Sequence, residues 1–126
     1  MGEIRPRDVA KILDRQVRPA KWKRLICVSE QPRRFLRINS DPQWRPHMKI
    51  LRAECNFLDY DSYVELRELV RVGPTEFRDA VARPDNPIGR LTDEMARQIE
   101  LEAQRAPTLS DENRRLVREG LLGKED

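Results

Sequence analysis

Long apolar runs are missing from this 126-residue chain. None approaches the ~20 residues needed to cross a bilayer, which excludes a transmembrane helix. The first residues, MGEIRPRDVAKIL, carry charge where a secretory signal needs its apolar core. A cytoplasmic location is therefore expected, with no membrane partner. Cysteine is scarce: Cys27 and Cys55 are read as buried small hydrophobes, because a disulfide is disfavoured in that compartment. With His47 as the single histidine, the chain has no metal-ligand set of recognisable spacing, so no metal is expected. There is no Gly-rich phosphate loop, no HExxH and no CxxC, and no cofactor is expected. A histidine-based mechanism would rest on His47, which is either a site residue or incidental to its loop.

What the chain has instead is charge, at 37% of its residues, against 38% hydrophobic. The net charge of +3 hides an uneven distribution. Residues 1–55 hold 14 Lys/Arg and 6 Asp/Glu, whereas residues 56–126 hold 11 and 16. A basic half beside an acidic half points to an anionic partner, nucleic acid being the commonest, unless the charge is distributed without purpose.

The basic half is concentrated in Lys21–Ser40, KWKRLICVSEQPRRFLRINS. Two apolar runs, Leu25–Val28 and Phe35–Ile38, flank a short turn at Pro32 and predict a β-hairpin. Before it, Val9, Ile12, Leu13 and Val17 share one face of a 3.6-residue period, predicting an N-terminal helix over 6–17. After it, Asp41–His47 is a loop by its two prolines. Strands are expected at Met48–Cys55, Tyr63–Leu66 and Leu69–Val72, giving a small barrel over 18–72. Residues 74–121 are expected to form a helical tail, broken at Arg83–Pro87, which cannot be helix, and ending in a hairpin of two helices. Thr92 and Ser110 are placed to cap them, each followed by two acids in the first turn. Residues 122–126 are expected to fray. The whole is one α+β domain, 1–126.

The hairpin supplies the chemistry. Lys21, Lys23, Arg24, Arg33, Arg34 and Arg37 can neutralise several phosphates of a nucleic-acid backbone. Trp22 and Trp44 can each stack on an unpaired base, the usual mode for single-stranded RNA. Alternatively the hairpin is simply solvated, with its tryptophans half buried. Asp59 and Asp61 would share one side of a strand as an acidic pair, or else cap local turns.

The chain also resembles a family. Lys23 or Arg24 stands before Leu25-Ile26-Cys27-Val28-Ser29, a later strand ends in Ile38-Asn39-Ser40, and Phe57-Leu58-Asp59-Tyr60-Asp61-Ser62-Tyr63 follows. Over residues 16–121 this is similar to the PemK/MazF-like proteins, in a divergent branch with a C-terminal helical tail. The resemblance implies an SH3-like barrel and a bacterial toxin of a toxin–antitoxin pair. It would act as a metal-independent endoribonuclease through attack by RNA's own 2′-OH, with an antitoxin partner and a homodimer expected. Lys23, Arg24 and Ser40 would be catalytic. Lys21, Trp22, Arg33, Arg34, Arg37, Asn39, Trp44 and His47 would bind the RNA. A non-catalytic module binding nucleic acid or protein on the same barrel is the alternative.

Overall fold

The computed structural model describes residues 3–123; of the expected frayed end, 124–126 lie outside the described residues. Among the described residues, seven strands and three α-helices follow in order: β1 (Asp8–Asp14), β2 (Lys21–Glu30), β3 (Arg33–Asn39), β4 (His47–Ile50), β5 (Ser62–Glu65), β6 (Val70–Arg71), α1 (Pro74–Ala82), β7 (Gly89–Arg90), α2 (Asp93–Arg105) and α3 (Asp111–Leu122). This is an α+β fold. The strands form one antiparallel sheet in the order β4-β5-β3-β2-β1-β7, with β6 also paired to β3, and it curls into a half-barrel.

The expected hairpin is present as β2 and β3, turning at Gln31-Pro32. Its alternation divides the core. Leu25, Cys27 and Phe35 face one side with Ala10, Ile12 and α1, while Ile26, Leu36 and Ile38 face the other with α2 and α3. Both faces are thus covered, which explains the near-continuous apolar runs.

The expected N-terminal helix is a strand. Residues 8–14 form β1, pairing with β2 from Val9↔Ile26 to Asp14↔Lys21. Val9 packs toward α2 and α3, and Ala10 and Ile12 pack toward α1. A strand buried on both sides loses its two-residue alternation, and the remaining apolar spacing happened to match a helix. Two smaller corrections follow. The strand expected over Met48–Cys55 stops at Ile50, and Arg52–Glu54 form a 3-10 turn; His47 begins β4 rather than ending a loop. The segment 74–121 also returns a strand, β7, to the edge of β1.

The capping signals are realised. Thr92 Oγ1 accepts from the Met95 N–H and Ser110 Oγ from the Asn113 N–H, both at 3.1 Å. Leu91, Met95, Ile99, Leu116, Val117 and Leu121 are all buried in the core beneath the sheet. A bulge leaves Val28 out of register, and α3 crosses there so closely that a Cβ on Gly120 would lie 1.6 Å from the Val28 carbonyl oxygen. The helix pair therefore packs on its own sheet.

Candidate nucleic-acid interface

At the end of the sheet where β2 begins and β3 ends, the chain opens into two adjoining cavities. The first, of about 200 Å³, is walled by Lys11, Lys21, Lys23 and Arg24 together with Ser40, Tyr60 and Ser62. No carboxylate lines it. Strand pairing forces this crowding, since Lys11 and Arg24 are direct cross-strand partners. Like charges at such positions repel and favour an anion between them.

Arg24 is only partly satisfied. Arg24 donates to Asp59 at 2.7 Å, but the Asp59 side chain is 72% exposed. The Arg24 Nε–H is buried without an acceptor among the described residues. A buried donor left unpaired is costly unless a ligand supplies the acceptor. Lys11 reaches Asp85 at 3.8 Å. Lys23 donates to Asn39 Oδ1. Burial of its amine, with the Arg37 charge adding, pushes its pKa below the ordinary lysine value. Ser40, the first residue after β3, is exposed.

The second cavity, of about 530 Å³, opens beside the first, and Lys21 and Lys23 line both. Its floor is an ionic network. Arg37 donates through Nε to Asp14 at 2.5 Å, and contacts Glu65 at 3.4 Å and Gln16 at 3.2 Å. Asn39 donates to Glu65 at 2.9 Å. Trp44, Arg67 and Glu68 form the outer wall.

The structure thus gathers Lys21, Trp22, Lys23, Arg24 and Ser40 at the first cavity, and Arg37, Asn39 and Trp44 at the second. Other expected RNA-binding residues stand elsewhere. Arg33 and Arg34 begin β3 at the turn end of the hairpin, opposite Glu30 and Ser29, with Arg33 over the Phe77 ring at 4.1 Å. His47 lies against Tyr63 at 4.9 Å between ring centroids and lines neither cavity. Arg37 and Asn39 are buried, with their polar groups committed to Asp14, Glu65 and Lys23. Trp22 and Trp44 are 45% and 43% exposed, each with an arginine over its ring.

The aspartates do not pair. Asp59 accepts from Arg24, and Asp61 accepts the Arg52 N–H at 2.9 Å from nine residues away, so neither caps a local turn. Cys27 and Cys55 are buried, and burial pushes the Cys27 thiol up to about 12. Lys11, Tyr60, Arg67 and Glu68 were missed from sequence. Lys11 was hidden by the helical reading of its strand, and the others reach the site only through the sheet order. No group of three metal-ligating side chains occurs among the described residues, and no described helix is long and apolar enough to cross a membrane.

No protein-family model matches the chain, and no curated protein matches it closely.

Proposed function

We propose that the protein binds single-stranded RNA, seating a backbone phosphate in the cavity between Lys11, Lys23 and Arg24. The observation that carries this is a cavity with four cations, no carboxylate in its wall and an unpaired arginine N–H. Arginine's planar fork suits phosphate oxygens, and an incoming phosphate offers Arg24 a stronger partner than the exposed Asp59. Trp22 at the rim gives a flanking base a stacking surface.

Cleavage of the bound strand is the second step of the proposal, favoured by Ser40 sharing this cavity with Lys23 and Arg24. The RNA 2′-OH would attack the adjacent phosphorus and form a 2′,3′-cyclic phosphate as the 5′-oxygen leaves with a proton. Lys23 and Arg24 would stabilise the charge on the pentavalent phosphate, and the Ser40 hydroxyl would hold one of its oxygens. An SH3-like, PemK/MazF-like toxin with an antitoxin partner, acting as a homodimer in the cytoplasm, belongs to the same proposal. That part is supported by the sequence resemblance.

The test is binding of a fluorescent RNA oligomer across a salt series. Removing one phosphate contact with Lys23→Ala or Arg24→Ala should weaken binding and reduce the log–log salt slope by about 1. Equal binding by both variants and the parent would sink the proposal. Cleavage is scored on a gel without added metal; RNA that binds yet stays whole removes the nuclease step and leaves the binding module.

A further inference from the structure

We propose that the second cavity is a guanine-recognition subsite for a base of the bound strand, with Trp44 as the stacking surface and Glu68 as the acceptor. This rests on the RNA-binding reading above and adds a base preference to it. Its position is the first reason. Lys21 and Lys23 line both cavities, so a strand whose phosphate sits in one directs a neighbouring base toward the other. At about 530 Å³ the space admits a purine.

The wall chemistry selects the base. Asp14 and Glu65 are spent on Arg37 and Asn39 within the floor. Glu68 is different: its side chain is 51% exposed and stands 4.0 Å from Arg37. It has acceptor capacity to give and no donor. Guanine presents N1–H and N2–H side by side, matching the two oxygens of one carboxylate. Adenine and cytosine each place a ring-nitrogen acceptor beside their amino group, which would face carboxylate lone pairs. Uracil offers one N–H between two carbonyl oxygens. Arg18, also in the wall, offers donors that suit guanine O6 and N7.

Trp44 completes the subsite. The indole is 43% exposed, and the Arg67 guanidinium lies over its ring at 5.4 Å from the centroid. A planar base extends that stack on the ring's other face.

The experiment uses the full chain and 2′-fluoro heptamers, which cannot cleave themselves: uridine throughout, or uridine with a single central G, A or C. Fluorescence anisotropy should show the G heptamer binding roughly tenfold tighter than the all-uridine one, toward the lower end of what one bidentate base contact discriminates. Glu68→Gln should bring that ratio close to one, and Trp44→Ala should weaken the G and A heptamers together. Circular dichroism checks that both variants fold. Equal binding of all four heptamers, preference for another base, or a G preference that survives Glu68→Gln each overturns the subsite while leaving RNA binding in place. No binding of any heptamer at low salt overturns both.

Discussion

Arg37 on β3 and Arg24 on β2 are set on opposite faces of the same sheet, and their surroundings separate two uses of a positive charge. The Arg37 side chain is 8% exposed, against Asp14 and Glu65 side chains at 0% and 4%. The Arg24 side chain is 24% exposed, has one solvent-facing partner in Asp59, and keeps one N–H unpaired. Arg37 is a structural cation that neutralises two buried carboxylates. Arg24 is a cation whose pairing is incomplete without a ligand. Charge counted along the chain does not distinguish them; the exposure and number of their partners does.

The largest expected effect comes from breaking the buried member. Arg37→Ala strands Asp14 and Glu65 without their cation, and should cost about 3–5 kcal/mol of folding stability. Arg24→Ala removes only a partly exposed pair and should cost about 1 kcal/mol or less. Urea denaturation of both variants measures the contrast. Equal losses would show that the burial difference does not govern the two arginines.

That contrast also marks how far the sequence could be read. The hairpin was legible because Leu25–Val28 and Phe35–Ile38 are compact β-rich runs around a proline turn. The helix starts at Thr92 and Ser110 were legible because capping is local chemistry. The strand at residues 8–14 was not, because burial on both faces erased its alternation. The grouping of Lys21, Lys23, Arg24 and Ser40 could be anticipated from the hairpin's own ends. That Arg37 is spent on Asp14 could not, since Asp14 lay in a segment read as helix. Nor could the proximity of Trp44 to Glu68, which depends on how β5 sits beside β3.

A smaller effect sharpens the same comparison in binding. Arg24→Lys keeps the charge but loses the planar fork, so RNA affinity should fall by less than for Arg24→Ala while the salt slope is retained. For Arg24→Ala itself a loss of roughly tenfold or more is expected, since a hydrogen bond to a charged group contributes about 1.5–3 kcal/mol. Arg33→Ala, at the other end of the hairpin and stacked on Phe77, should change affinity little. A loss from Arg33→Ala as large as that from Arg24→Ala would move the interface to the turn and break the assignment of the cavity.

The smallest effect tests Lys23, which stands between the two arginines' environments. Burial first, and the Arg37 charge second, hold its pKa below the ordinary lysine value of 10.5. In the folded chain it therefore sheds its proton at a lower pH than in the unfolded chain. Between those two values the unfolded state binds more protons, so this amine makes stability rise with pH through the window. RNA binding should run the other way. A phosphate favours the protonated amine and restores its pKa, so the complex takes up a proton and affinity falls as pH rises through the same window. Lys23→Arg keeps the charge across this range and should flatten both trends, isolating the one amine from Lys11 and Lys21. Urea midpoints and the anisotropy of a 2′-fluoro oligomer, followed from neutral pH toward 10.5, measure the two slopes. Opposite signs in the parent, both reduced in Lys23→Arg, place Lys23 in contact with both the buried network and the phosphate. Matching slopes in parent and variant would remove Lys23 from the site and leave Arg24 as its principal cation.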